Sequence, residues 1–370
     1  MGCAGLSLAI QLKRSSIKFE RVLLIDRDLK NKNDRTWCFW TKEQNNWFDG
    51  IVYKKWDYFE FKTNSIEKKF ALAPYQYMMV RGIDFYEACL TELRSDPRFE
   101  IVTASIESIR SESDTAVIET SEGLYTASYV FNSAIRVHAK KEKHTNYVQH
   151  FKGLLIETND DRFDEACPVF MDFSVQQKND CRFVYIIPYS KRKALIEYTG
   201  FSKQAVSDEE YDAELVDYIE NKLQIKHYKT DEIERGEIPM AESEFVNPFG
   251  NKVINIGTAG GFSKASTGYT FYFIQHKCAA IIKQLELALT AIEPINSEKR
   301  FVYYDRILLD VIDQKKIAAK DVFEALFTNN KITTLLAFLN EESSLVEDLK
   351  IMNSVPKLHF VPSAFKKLIK

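Results

Sequence analysis

Apolar residues change their spacing along the chain, and each change marks an element. Ala4 to Arg14 carries Leu6, Leu8, Ile10 and Leu12 among small residues and reads as a helix. Arg21-Val22-Leu23-Leu24-Ile25-Asp26 is a continuous apolar run of the kind found in a buried parallel strand. Residues 51–81 alternate in period 2: Phe59 and Phe61 oppose Glu60 and Lys62, and Ile66, Phe70 and Leu72 share one phase that Lys68 interrupts. That predicts antiparallel strands. Residues 82–94 return to helical spacing. From 98 to 131 the pattern predicts a meander, punctuated by the turns Ser111-Glu112-Ser113-Asp114 and Ser121-Glu122-Gly123. Strands follow over 146–157 and 182–199, then an amphipathic helix from Asp208 to Leu223 with Ser207 or Asp208 near its N-cap. A short strand, Lys252-Val253-Ile254-Asn255, breaks into small residues and opens a long helix, Thr270 to Leu289. Everything beyond reads as helical.

Two of these junctions carry chemistry. Ile256-Gly257-Thr258-Ala259-Gly260-Gly261, with Thr267-Gly268-Tyr269 after it, joins a strand to a helix through bare backbone. Backbone N–H groups at such a junction suit a phosphate or the edge of a flavin. At the other end Gly2-Cys3-Ala4-Gly5 leads into the first helix, and Asp26 ends the next strand, where a dinucleotide fold holds a ribose hydroxyl. Together the two ends predict one dinucleotide, FAD, held by both. The fingerprint Gly-x-Gly-x-x-Gly follows a strand; here its second and third glycines are Gly2 and Gly5. The first glycine and its strand are expected either in a natural product that starts about ten residues earlier, a strand's typical length, or nowhere.

The predicted architecture is α/β (α+β). An FAD/NAD(P)-binding Rossmann-like domain of hydroxylase-type flavoproteins is formed by 1–50, 98–140 and 235–290. An antiparallel-sheet substrate domain is formed by 51–97 and 141–234, and a helical C-terminal region by 291–370.

Composition narrows the function. Hydrophobic residues make up 45% and charged residues 28% of 370, so the chain folds as a globular protein. A net charge of −3 gives no footprint for nucleic acid. Cys3, Cys38, Cys89, Cys167, Cys181 and Cys278 form no Cys-x-x-Cys pair, and the six histidines show no ligand spacing, so thiols are expected free and no metal is expected. No run of 18 apolar residues would span a bilayer. The 26 Phe, 18 Tyr and 4 Trp build either a large aromatic core or a pocket for a long apolar ligand.

Over nearly its whole length the chain resembles the flavin-dependent lycopene cyclases of bacterial type, relatives of the plant β- and ε-cyclases. The resemblance rests on Gly2 to Ala9, Leu24-Ile25-Asp26, and Asp34-Arg35-Thr36-Trp37-Cys38-Phe39-Trp40. It continues through His150-Phe151-Lys152-Gly153, Phe163-Asp164, Phe170-Met171-Asp172-Phe173, Phe183-Val184-Tyr185 with Pro188, and Ile196-Glu197-Tyr198-Thr199. Gly236-Glu237-Ile238-Pro239-Met240 and the late glycine pair close the set. Two departures stand out. Tyr198 occupies the second acidic position of the plant-type Phe-x-Glu-Glu-Thr motif, and the flavoprotein Asp-x-Arg element reads Asn132-Ser133-Ala134-Ile135-Arg136.

The resemblance implies acid-initiated, non-redox closure of the linear ends of lycopene to β-rings, giving γ- or β-carotene, by an isomerase with bound, reduced FAD and NADPH as reductant. It implies a membrane-dissolved substrate and a cytoplasmic protein peripheral to the inner face of the plasma membrane, touching anionic lipid through the basic tail Phe365 to Lys370. Such chemistry needs a carboxylic acid kept protonated by burial, exclusion of water, and electron-rich faces along the cation's path. Glu197 is the implied acid; on pattern alone it is also an ordinary outward Glu of a half-exposed strand. Gly2, Gly5, Asp26, Arg35, Gly257, Ala259, Gly260, Thr267, Gly268 and Tyr269 are the candidate cofactor residues. Trp37, Trp40, Asp172 and Tyr198 are candidates to line the substrate, with core packing or a structural hydrogen bond as the alternatives. An FAD-dependent monooxygenase on the same plan is the competing function, and a degraded relative a third.

Overall fold

The computed structural model describes residues 1–134, 146–241, 247–287 and 292–368. The chain opens directly into a helix, Cys3–Arg14, whose N-cap Gly2 is extended and whose last turn carries Lys13 and Arg14 against the helix dipole. The strand Val22–Asp26 pairs in parallel with Phe99–Thr103, and Val130–Asn132 pairs in parallel with Val253–Asn255. The first helix, Gly82–Arg94 and Phe271–Glu286 enclose one apolar core with Leu6, Ile10, Phe85, Leu93, Ile274 and Ile281 at its centre. The two ends of the chain meet there. Gln275 Nε2 donates to Ser7 Oγ at 3.0 Å and Gln11 Nε2 to the Gln275 carbonyl at 3.3 Å.

The meander is shorter than the sequence pattern predicts. Only Ile106–Glu112, Thr115–Thr120 and Gly123–Ala127 form it. The flanking strands Phe99–Thr103 and Val130–Asn132 join the parallel pairs instead. A short apolar run does not reveal whether its partner is sequential or distant.

A seven-stranded sheet forms the second body. Its order is Tyr228–Ala241, Asn146–Thr158, Lys193–Ser202, Cys181–Pro188, Val169–Asp172, Tyr58–Lys62, Glu67–Ala71. Both faces are covered. The helix Asp208–Asp217 and the turn after it lay Tyr211, Leu215, Tyr218 and Ile219 on Ile156, Ile196 and Tyr198. The opposite face, with Leu155, Leu195, Phe201, Phe170 and Phe173, meets the C-terminal helices and a three-stranded sheet of Thr36–Thr41, Gln76–Arg81 and Lys54–Trp56. Two expected domain boundaries therefore cut continuous structure. The one at 234/235 falls inside Tyr228–Ala241, and the one at 50/51 divides a sheet that pairs Thr36–Thr41 with Gln76–Arg81.

The C-terminal helices are Lys299–Gln314, Ala319–Asn329, Ile332–Leu339, Leu345–Ser354 and Lys357–Leu368. The last two bury polar side chains beside Ile351, Phe360 and Ala364 and leave other apolar residues outward. Leu345–Ser354 turns Asp348 inward, where Arg300 donates to it at 2.8 Å and Ser343 at 2.5 Å, while Leu345, Val346 and Leu349 stand exposed. Lys357–Leu368 buries Ser363, anchors Lys366 on Asp310 at 2.6 Å, and exposes Leu358, Val361 and Phe365. Within the basic tail Lys366 and Lys367 both lie against Asp310, and Phe365 is exposed. Ile369 and Lys370 lie outside the described residues.

Candidate active site

Period 2 along Lys193–Ser202 sends Leu195, Glu197, Thr199 and Phe201 to one face and Ile196 and Tyr198 to the other. Glu197 thus points toward the C-terminal helices. It sits opposite Gly153 on one neighbouring strand and Tyr185 on the other. Gly153 in turn sits opposite Glu234. Directly opposed residues share a face, so Tyr185, Glu197, Gly153 and Glu234 form one row across four strands. Gly153 carries no side chain in that row, and its neighbours close over it. A Cβ there would come within 2.9 Å of Leu195 Cδ1 and 3.4 Å of Glu197 Cβ.

The two acids are held differently. Glu197 accepts one hydrogen bond, from Thr199 Oγ1 at 2.9 Å. Glu234 accepts two from Thr36: the backbone N–H at 2.8 Å and the hydroxyl on its other oxygen. Burial raises the Glu197 pKa, repulsion from Glu234 adds to it, and together they push it to about 8 against the pull of Thr199. Burial also raises Glu234, but the Thr36 hydrogen bonds hold it to about 7. Glu197 keeps some accessible surface although protein crowds its carboxyl.

Aromatic rings surround this row. Trp40 lies 4.7 Å from Tyr269 and 5.9 Å from Phe170, and Tyr77 lies 5.5 Å from Phe170, all edge to face. Trp40 also donates its indole N–H to the Leu336 carbonyl at 3.1 Å, which fixes its plane. Cys38 and Tyr77 complete the wall, their pKa values raised first by burial.

The glycine junctions come together next to this wall. Gly257 (φ +62°) would bring a Cβ to 3.0 Å from Ala4 Cβ, so the late turn rests on the start of the first helix. At Gly260 a Cβ would strike the Asn255 carbonyl at 2.2 Å, and Ala259 is buried beside it. Gly5 faces Ser133. Asp26 ends its strand with one oxygen 2.6 Å from the Met1 ammonium and the other accepting the Asp28 N–H. Arg35 pairs with Asp34 at 3.2 Å and acts electrostatically on both Cys3 and Glu234, between the glycine turn and the acids. Gly268 (φ +70°) faces Gln149, whose Oε1 lies 1.8 Å from where a Cβ would stand. Gln149 Oε1 and Thr267 Oγ1 are buried and have no hydrogen-bond partner among the described residues, while Tyr269 Oη faces Tyr185. Buried polar groups of this kind normally have partners. A strained glycine, a bare backbone and two unpaired atoms fit the polar edge of a flat heterocycle. Residues Ile135 and Arg136 of the Asp-x-Arg-like element lie outside the described residues.

Three candidates stand elsewhere. Tyr198 is on the opposite face, buried against Tyr211, with its hydroxyl accepting from Arg182 at 3.1 Å. Asp172 is saturated by Ser174 and by Tyr218, which donates at 2.7 Å, and serves the structure on that same far face. Trp37 alternates away from Trp40 into the nucleotide-side core, 5.4 Å from Phe85 and 5.7 Å from Phe271. Sequence reasoning singles out neither Glu234 nor Gln149. Ile233-Glu234-Arg235 alternates like a half-exposed strand, and the Gly236 to Met240 element beside it is the only pointer to that position. A cavity of about 650 Å³ lined by Gln11, Arg14, Trp47, Gln275 and His276 opens outside the nucleotide-side core and holds none of these groups.

Comparison with known proteins was made on this geometry. The family model described as lycopene cyclase protein matches residues 1–364. A lycopene beta-cyclase of Pantoea ananas is 25% identical over 216 residues, 56% of this chain and 52% of that one, so the match spans about half the length of that relative. Among solved structures, a flavoprotein/dehydrogenase from Cytophaga hutchinsonii superposes with a TM-score of 0.65 at 12% identity, covering 100% of this chain and 97% of the other. A geranylgeranyl bacteriochlorophyll reductase-like protein from Thermoplasma acidophilum gives 0.63 at 12% identity, with coverage of 100% and 96%. The fold is that of the flavoproteins, an α/β nucleotide-binding body with a helical C-terminus.

Proposed function

The chain belongs to the lycopene cyclase family, and on that premise we propose that it closes the linear ends of lycopene to β-rings by proton transfer from Glu197. The observation that carries the reading is a carboxyl whose pKa is pushed to about 8, chiefly by burial, on a wall of aromatic rings. At neutral pH Glu197 carries a proton on the oxygen that Thr199 does not occupy. It gives that proton to the terminal double bond. The cation closes to a six-membered ring, and loss of a ring proton sets the new double bond, so no electrons are gained or lost. Trp40, Tyr77, Phe170 and Tyr269 present ring surfaces toward the developing cation and keep water from it.

FAD is the proposed cofactor. Gly2, Gly5, Gly257, Ala259 and Gly260 would hold its diphosphate side, Asp26 and Arg35 the ribose and phosphates, and Gln149, Thr267, Gly268 and Tyr269 its ring. A flavin in its reduced form, with NADPH as the reductant, supplies negative charge beside the cation.

The substrate reaches the site from a bilayer, and the last two helices are the proposed contact. Leu345, Val346, Leu349, Leu358, Val361 and Phe365 supply an apolar surface, and the exposed Lys350 and Lys357 suit anionic headgroups. The proposed location is the cytoplasmic face of the plasma membrane. No helix among the described residues is long and apolar enough to cross it.

The test is pigment analysis of a bacterium that accumulates lycopene. The intact chain is expected to yield monocyclic or bicyclic carotene, and Glu197→Gln to lower the yield at least ~10²-fold, the scale of a general acid, at equal protein and flavin. Lycopene left untouched by well-expressed, flavin-loaded protein would overturn the reading in favour of a monooxygenase.

A further inference from the structure

Glu234 is the buried carboxylate that the reaction as written leaves without a task. It is 2% exposed and lies two strands from Glu197 in the same row, with Gly153 at the position between them. The absence of a side chain at Gly153 lets the Glu197 stem and Leu195 Cδ1 lie over that position, 3.4 Å and 2.9 Å from where a Cβ would stand. Thr36 gives both a backbone N–H and a hydroxyl to Glu234, two donors that favour the ionised form. Glu197 has a single donor and a free oxygen.

We propose that Glu234 is a positioning residue: ionised on Thr36, it shares a sheet face with Glu197 on the far side of Gly153 and keeps Glu197 in the protonated form that starts the reaction. This rests on the reading of Glu197 as the acid. The other titratable groups around the pair do not supply the charge. Cys38 from Thr36–Thr41, Tyr77 from Gln76–Arg81, Tyr185 from Cys181–Pro188, Tyr189 beyond it and Tyr269 from the glycine turn are all pushed up, first by burial, and are neutral at pH 7. Glu232, bonded to Asn33 at 2.6 Å, and Arg35 act on Glu234 with opposite signs. Glu234 is the carboxylate whose repulsion acts on Glu197.

Repulsion from an anion raises the pKa of the neighbouring acid. Removing the anion must lower it, and the pH range over which Glu197 is protonated must shrink from the alkaline side. The experiment is Glu234→Gln in the full flavin-loaded chain, with two readouts. The first is the alkaline limb of cyclisation against pH. The second is the infrared C=O band of the protonated Glu197 carboxyl, assigned by its loss in Glu197→Gln and titrated without turnover. Both midpoints are expected to fall by about one unit or more, the size of a like-charge shift. Glu234→Asp keeps the charge and is expected to restore most of the shift. Unchanged midpoints in a folded Glu234→Gln protein would overturn this proposal and leave the cyclase reading intact. An active Glu197→Gln protein would overturn that reading instead. Should Glu234→Gln lose flavin, Thr36→Val, which removes one of the two donors, is read by the same band, and an unchanged titration there also counts against the proposal.

Discussion

Gly268 shows most directly what one residue contributes. Its φ of +70° disfavours any side chain, and a methyl group would overlap the Gln149 amide at 1.8 Å. Gly268→Ala is expected to cost about 1–3 kcal/mol through backbone strain alone, and to lower the flavin retained per chain further, because Gln149 must swing into the space beside Thr267 and Tyr269. Thermal melting with and without added FAD, and flavin absorbance of the purified protein, check it; a Gly268→Ala protein with full flavin and unchanged melting would remove this turn from the cofactor site. Gly268 was legible in the sequence as a glycine at a strand–helix junction, whereas its partner Gln149 was not. Glu197 and Tyr198 show the same limit. Their strand is apolar at both phases because both faces of the sheet are covered, so alternation separates the two residues without saying which face holds the chemistry. The resemblance selected Glu197. Pattern alone gave no reason to discard Tyr198, and only the contact with Tyr211 and Arg182 does so.

At the scale of elements, helical and strand periods located the long segments well. Gly82–Arg94 has the predicted bounds, and Phe271–Glu286 lies inside the predicted helix. Pairing was less legible, since parallel partners such as Val130–Asn132 and Val253–Asn255 are far apart in sequence. In the last two helices Asp348 and Ser363 lie on the inner faces beside Ile351, Phe360 and Ala364, a mixture that an amphipathic pattern does not announce. Leu358 and Phe365 are 81% and 63% exposed, so replacing both with Ser is expected to leave melting within about 0.5 kcal/mol of the parent. Each side chain buries into lipid for roughly 1.5–3 kcal/mol, so sedimentation with anionic vesicles should weaken about tenfold or more per residue. Equal vesicle binding by the double variant would exclude this face as the membrane contact.

For the molecule as a whole, the C-terminal helices are structural partners of the glycine turn at Gly268. Lys264 is fully enclosed, 2.9 Å from Asp305 in Lys299–Gln314 and 3.0 Å from Glu341 beyond Ile332–Leu339. Its own backbone carbonyl accepts from Gly268 at 2.8 Å, and its N–H donates to Tyr269 at 2.9 Å. Lys264→Met strands two buried carboxylates, and urea unfolding is expected to show a loss of about 3–5 kcal/mol; a loss below 1 kcal/mol would mean the triad is not held as described. Contacts of this length, from Lys264 to Asp305 and Glu341, leave no local signature in the sequence. The junction of the first helix with Phe271–Glu286 has a consequence for how the protein is made. The glycine turn that begins at Gly2 emerges from the ribosome early and has to wait while the intervening sheet is synthesised, because the turn at Gly257 that completes it comes some 250 residues later. Closure across such a separation is slow relative to local folding, so the two glycine junctions come together only after the intervening sheet has been made, and a flavin that needs both of them would be captured late.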